Sequence, residues 1–257
     1  MILPNLKEAK HKAWLYRLLA AIYDNRILAS SLYFKGGTCA AMRGLLDRFS
    51  IDLDFDYVAE KGEVEAVRKN MEKTFKVLGL TIKEKSRRVP QYFLKYPGKE
   101  DERNTIKIDV TMPPPKTNKY EPVKMTEIDR VITCQTVETM FANKLVALVD
   151  RYEKNNSIAG RDIYDIHYFF LNGFSYGKAV IEERRNQPLG LFFKELIEFI
   201  EKNISETIID QDINTLLTYD KFRKIRKVLK REALMFLRDE VKRLEAGADK
   251  GIVKIIK

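Results

Sequence analysis

The segment Ile51-Asp52-Leu53-Asp54-Phe55-Asp56-Tyr57-Val58 alternates apolar and acidic residues without interruption. Successive side chains of a β-strand point to opposite faces, so Leu53, Phe55 and Tyr57 share one face and the three aspartates share the other. A helix would scatter these carboxylates around its axis. The segment is therefore expected as a strand with one face on a core, although a half-exposed strand whose polar face is merely acidic has the same pattern. Like charges crowded on one face need compensation. Asp52 and Asp54, two residues apart, project to the same side, close enough to share a hard divalent cation or to hold two.

Just upstream, the extended run Leu32-Tyr33-Phe34 meets Gly36-Gly37, and Thr38 to Leu46 has helical character. Two glycines between a strand and a helix let the backbone approach a ligand closely, and a helix start presents unpaired N–H groups to an anion such as phosphate. A simple tight turn would also explain the pair. In Ile106-Lys107-Ile108-Asp109-Val110 the branched residues take one face, which places Asp109 on the other beside Lys107. A strand neighbouring the Asp52 segment would make Asp109 a third carboxylate for a metal site.

Composition narrows the chemistry. The 257 residues include only two cysteines and two histidines, which leaves no disulfide framework and no soft-ligand zinc pattern, so a metal site must rest on oxygen donors. Hydrophobic residues make up 45% of the chain, enough to bury a core and exclude wholesale disorder. No apolar run approaches the roughly 20 residues of a membrane span, and no signal peptide is recognisable, so a cytoplasmic protein without membrane contact is expected. A net charge of +10 suits a polyanionic partner, nucleic acid above all, and equally suits a solvated surface.

The chain is expected to be α+β. A long helix over residues 6 to 29, a helix over 63 to 78, and strands at Leu80 to Glu84, Gln91 to Tyr96 and Ile106 to Met112 fill the first part, with a hairpin loop across Pro97-Gly98 and 99 to 104. From about Gln135 the pattern is helical, through Phe141 to Tyr152, Asp162 to Leu171, Leu189 to Asn203 and Tyr219 to Glu245. The expected division is residues 1–126, an α/β domain with a mixed sheet, and 127–257, a helical bundle.

These residues resemble a known family. The Gly-Gly-Thr turn opening a helix, the Asp-Leu-Asp strand and the later strand aspartate are similar to the nucleotidyltransferase fold shared with DNA polymerase β. Lys35-Gly36-Gly37-Thr38 and Arg48-Phe49-Ser50-Ile51-Asp52-Leu53-Asp54-Phe55 resemble, more narrowly, the AbiEii/MenA group of nucleotidyltransferase toxins. Asn143-Lys144-Leu145 through Leu148 to Arg151 resembles that group's lysine-bearing helix, and Arg161-Asp162-Ile163-Tyr164-Asp165-Ile166 its aspartate-bearing helix. The four motifs agree in order and spacing over residues 34 to 166.

The resemblance implies transfer of a nucleotidyl group from an NTP with Mg²⁺ or Mn²⁺, onto an RNA acceptor such as the tRNA 3′ end, by a toxin of a toxin-antitoxin or phage-defence pair with a cognate antitoxin protein. It implies that Lys35, Gly36, Gly37, Thr38 and Ser50 hold the nucleotide, that Asp52 and Asp54 bind the metal with Asp109 as a weaker third ligand, and that Lys144 meets the phosphates. The essential helical aspartate maps to Asp162 or Asp165. Read from the residues alone, Lys144, Leu148 and Arg151 lie on one helical face, where a lysine is by default solvated, and acidic residues near a helix start also stabilise its dipole. His167 is expected to be structural or superficial. Residues 221 to 231 form a basic amphipathic stretch, with Arg223, Lys227, Lys230 and Arg231 opposite a buried stripe, suited to RNA phosphates or to simple solvation beside Glu232 and Asp239. Arg87 and Arg88, near Tyr92 and Phe93, are further candidate contacts. Two alternatives stay open: an acceptor that is a protein or small-molecule hydroxyl, and a non-catalytic nucleotide- or RNA-binding protein.

Overall fold

In the computed structural model, which describes residues 1–99 and 102–253 with side chains through 246, the chain forms two compact units, Met1–Thr136 and Val137–Lys257. Residues 100–101, inside the expected hairpin loop, and 254–257 lie outside the described residues. Among the described residues no helix is long and apolar enough to cross a membrane.

The first unit begins with a short 3-10 turn, Leu6–Glu8, and two helices, α1 (Ala9–Tyr23) and α2 (Arg26–Ser31). The single helix expected over residues 6 to 29 is thus divided. Asn25 divides it, because its side chain accepts from the Ile27 and Leu28 amides at 3.0 and 3.2 Å and so starts a new helix where the old one ends. Strand β1 (Leu32–Lys35), helix α3 (Gly36–Met42), strand β2 (Leu53–Tyr57), helix α4 (Val64–Val77) and strands β3 (Thr81–Lys85), β4 (Tyr92–Lys95) and β5 (Thr105–Thr111) follow near the expected positions. Strands β6 (Tyr120–Met125) and β7 (Arg130–Gln135) were not expected. Pro122 disguises β6, since proline suits only an edge strand, and β6 is indeed at the edge of the sheet.

The seven strands form one mixed sheet in the order β3-β4-β5-β2-β1-β7-β6. The central strand β2 is antiparallel to β1 and parallel to β5, while β7 is parallel to β1. Because the hairpin of β6 and β7 joins this sheet, the first unit extends to Thr136, past the expected limit at residue 126. One face of the sheet supplies the core: Leu53 and Phe55, Leu94, and Ile106 and Ile108 are fully buried, as are Leu15, Leu18 and Leu19 of α1 and Val67, Met71 and Phe75 of α4. Burial in β5 alternates strictly, so Thr105, Lys107, Asp109 and Thr111 occupy the opposite, more open face.

The second unit is helical, with α5 (Val137–Asn155), α6 (Gly160–Leu171), α7 (Lys178–Arg185), α8 (Leu189–Asn203), α9 (Glu206–Ile213), α10 (Tyr219–Ile225) and α11 (Leu229–Val253). Helix α6 packs on α5, α9 and α11, and α8 packs on α11. Gly160 admits α9: a Cβ there would meet the Ile208 carbonyl oxygen at 2.5 Å. The basic stretch is not one continuous helix. It breaks at residues 226–228, which separates Arg223 on α10 from Lys230 and Arg231 on α11, while Lys227 sits in the turn itself.

Candidate active site

Strand β1 delivers the glycine pair to β2. Lys35 stands opposite Asp54 in the antiparallel register, and Gly36 follows at φ +78°, a left-handed conformation that favours glycine. A Cβ on Gly36 would run into Asp54 Oδ2, with Asp54 Cβ and Cγ at 2.9 Å. The Gly36 backbone and the Asp54 carboxylate therefore occupy one small space. Gly37 is required for a different reason, because its Cβ would meet the buried Arg48 guanidinium at 2.5 Å.

Thr38 is fully buried and holds the loop that leads into β2. Its hydroxyl bonds with Ser50 Oγ at 2.8 Å and donates to the Asp52 carbonyl. His11 secures the same loop from the other end. Its Nε2 lies 2.9 Å from the Ile51 carbonyl and its Nδ1 lies 2.9 Å from the Tyr96 hydroxyl. Burial pushes the His11 ring down to about 4, which keeps it neutral at physiological pH. Nothing in the sequence pattern marked His11, since a lone histidine in a helix has no distinctive spacing.

The three aspartates of the alternating segment divide into two roles. Asp56 is fully buried and ringed by Lys35 Nζ at 2.7 Å, Gln135 Nε2 at 2.6 Å, the Tyr120 hydroxyl at 2.8 Å and Asn118 Nδ2 at 2.9 Å. Burial and the Asp56 carboxylate both push the Tyr120 phenol up. Asp56 is thus a structural anion whose compensation comes from protein groups, and Lys35 compensates it while also donating to Thr111 Oγ1 at 2.5 Å.

Asp52 and Asp54 are only partly buried. On the far side of β2, Asp54 stands in register with Asp109 of β5. Asp109 accepts from Gln91 Nε2 at 3.0 Å and Lys107 Nζ at 2.6 Å. Among the described residues, no three His, Cys, Asp or Glu side chains are gathered closely enough to ligate one ion. The donors on this edge are hard carboxylate oxygens, one of them packed against a backbone turn that only glycine allows. That set fits Mg²⁺ or Mn²⁺ held by two protein carboxylates and completed by substrate phosphates.

In the second unit, α5 and α6 bring the motif residues together. Lys144 Nζ lies 3.0 Å from Asp162 Oδ1 and 2.8 Å from Asp165 Oδ2, and an Arg151 guanidinium nitrogen lies 3.3 Å from Asp162 Oδ2. Both aspartates are fully buried, while the Lys144 side chain is 17% exposed. Burial alone would raise the Asp162 carboxyl, but Lys144, Arg151 and Arg161 outweigh it and hold it at about 2. The arrangement fixes the direction of a lysine whose side chain is largely buried. The sequence left Asp162 and Asp165 as alternatives, and both hold Lys144.

The basic stretch is partly committed to structure. Lys230 Nζ donates to the Glu201 and Ile204 carbonyls at 3.1 and 2.7 Å, which satisfies the end of α8. Arg223 lies over the Tyr219 ring at 5.6 Å, and Glu232 pairs with buried His167 at 2.8 Å.

A comparison with curated proteins finds no match. Among solved structures, JHP933 from Helicobacter pylori is 16% identical, with both chains covered completely and a TM-score of 0.63. MenT4, a nucleotidyltransferase toxin from Mycobacterium tuberculosis, is 15% identical over 92% of this chain and 87% of its own, with a TM-score of 0.51. At these identities the likeness is one of fold. The profile of the nucleotidyl transferase AbiEii toxin family, of type IV toxin-antitoxin systems, matches residues 17–231.

Proposed function

The chain belongs to the AbiEii nucleotidyltransferase toxin family of type IV toxin-antitoxin systems, and from that premise we propose that it transfers a nucleotidyl group from an NTP to the 3′ end of an RNA, tRNA being the leading acceptor. The observation that carries this reading is the packing of the Asp54 carboxylate into the space that a side chain at Gly36 would need. It seats a hard-oxygen edge against the glycine turn that opens α3.

Asp52 and Asp54 are the residues that would hold a divalent cation, which when bound supplies Lewis-acid neutralisation of the triphosphate and of the charge that develops on transfer. By family resemblance the Gly36-Gly37 turn that opens α3 would hold the triphosphate. Thr38 and Ser50 fix the loop that carries Asp52, and Lys35 keeps β1 in place through Asp56, so these three act as positioning residues. By family resemblance Lys144 meets the nucleotide phosphates, with Asp162 and Asp165 setting its direction.

In the reaction the acceptor 3′ oxygen forms a bond to the α-phosphorus, the bond from that phosphorus to its bridging oxygen breaks, and pyrophosphate departs. The hydroxyl proton passes to a nearby carboxylate, Asp54 or Asp109. Toxicity by this route would call for a cognate antitoxin. The reading is tested by incubating the purified protein with each of four labelled NTPs, Mg²⁺ and total tRNA. Metal-dependent label on RNA is expected, and no label with any NTP would end the proposal.

A further inference from the structure

The open face of the sheet extends outward from the row that Asp54 and Asp109 share. On β4, Phe93 stands opposite Lys107 and Lys95 opposite Thr105, so all four residues occupy this face. Phe93 is half-buried, with Lys107 Nζ 5.9 Å from the centre of its ring, and Lys95 is exposed. The loop between β3 and β4, tied to Asp109 through Gln91, carries Arg87 and Arg88, both exposed. Residues 86–91 contain no acidic residue, and among the described residues neither arginine has an ion-pair partner.

This loop is held in place. Arg68 donates to the Ser86 carbonyl at 2.9 Å, the Arg88 amide to Ser86 Oγ at 3.2 Å, the Ser86 amide to the Gln91 carbonyl at 3.0 Å and the Gln91 amide to the Val89 carbonyl at 2.7 Å. Gln91 also reaches Asp109 at 3.0 Å. Two guanidiniums are therefore mounted on a fixed loop that touches the candidate active site.

We propose that this loop and the adjoining face of β4 and β5 form the track for the single-stranded end of the acceptor RNA. Arg87 and Arg88 grip backbone phosphates, Phe93 presents its ring to a base, and Lys95 and Lys107 flank it. Such a pairing of cations with an aromatic platform is what single-stranded nucleic acid requires, because every base has a π-face and every linkage a charge. With strands about 4.8 Å apart and a rise of about 3.3 Å per residue, Phe93 lies roughly 12 Å from Asp54. A strand held there would end at the carboxylates. The proposal deepens the nucleotidyl-transfer reading and places acceptor affinity chiefly in the first unit, away from residues 221 to 231.

The test measures equilibrium binding of the full-length protein to total tRNA and to a labelled single-stranded oligoribonucleotide across a salt series, so that failure of transfer would count against the reaction alone. Each phosphate contact to a single strand contributes about 0.7 to the slope of log affinity against log salt, so Arg87→Ala with Arg88→Ala should flatten it by about 1.4. NTP binding should not change, and the double lysine variant should keep the parental slope. Phe93→Leu should weaken RNA binding roughly fivefold or more, and Phe93→Tyr should restore it. An unchanged slope, an equal loss of NTP affinity, failure of the parent protein to retain RNA at low salt, or polyglutamate binding as tight as RNA would each overturn the proposal.

Discussion

Removal of the Lys144 ammonium separates its structural duty from any role toward substrate. Lys144 is the nearest cation shared by two fully buried carboxylates, at 3.0 and 2.8 Å, while Arg151 reaches only Asp162, at 3.3 Å. Holding Asp162 at about 2 against an ordinary 3.8 corresponds to roughly 2 kcal/mol in favour of the ionised form. Lys144→Met keeps most of the aliphatic volume and removes the cation nearest to both buried carboxylates. Breaking a buried pair in this way costs about 3–5 kcal/mol at pH 7. Acid should then help the variant. Two facing carboxylates without their cation take up a proton when folded that they lack when unfolded, so the difference in stability from the parent shrinks by about 1.4 kcal/mol per pH unit as pH falls. In the parent, Asp162 has the opposite sign: its stabilisation is complete above pH 4 and is lost as pH falls toward 2. Urea unfolding followed by far-ultraviolet circular dichroism at pH 7 and pH 5 measures both quantities, and Lys144→Met with Asp165→Asn should recover much of the loss. A variant within about 1 kcal/mol of the parent at pH 7, with no pH dependence of the difference, would refute the buried-triad account.

Three further outcomes follow from the first unit. Gly36→Ala should reduce transfer at least tenfold while costing only about 1–2 kcal/mol, because the strain is local and the displaced group is Asp54; thermal unfolding beside an activity assay checks the split. Asp56→Asn should destabilise the fold by about 3–5 kcal/mol, because it strips the counter-ion from Lys35 in a buried network, and urea titration reads it. The buried His11, held at about 4 against an ordinary 6.5, must charge when the protein unfolds in acid. Its contribution is complete above pH 6.5 and is lost on the way to pH 4, for a total of roughly 3 kcal/mol. In His11→Gln that portion of the pH dependence should disappear.

Strict alternation over residues 51 to 58 made β2 legible, because the period of a strand is two and a core face accepts no charge. The same pattern could not distinguish Asp56 from Asp52 and Asp54. The distinction comes from Lys35, Tyr120 and Gln135, which are 21 to 79 residues away in sequence and meet Asp56 only in the folded sheet. The division of the first long helix lay in a single side chain, Asn25, whose capping competes with an otherwise unbroken apolar stripe. Strand β6 was hidden by Pro122 and by its exposed, polar edge position. The break at residues 226–228 has no Pro or Gly to announce it, so the helical period of the sequence runs straight through it. Motif spacing located Lys144, Asp162 and Asp165, but the three-way contact among them required the packing of α5 on α6.

Nucleotidyl transfer seated at the Asp52 and Asp54 edge should fail when Asp54 loses its charge. The direct measurement is the rate of label transfer from NTP to RNA by the parent and by Asp54→Asn, with folding of both checked by circular dichroism and thermal unfolding. A metal-dependent rate in the parent, with a loss of about a thousandfold or more in the folded variant, is the predicted result, since each tenfold corresponds to about 1.4 kcal/mol of lost transition-state stabilisation. A folded Asp54→Asn protein that labels RNA within tenfold of the parent would contradict the account.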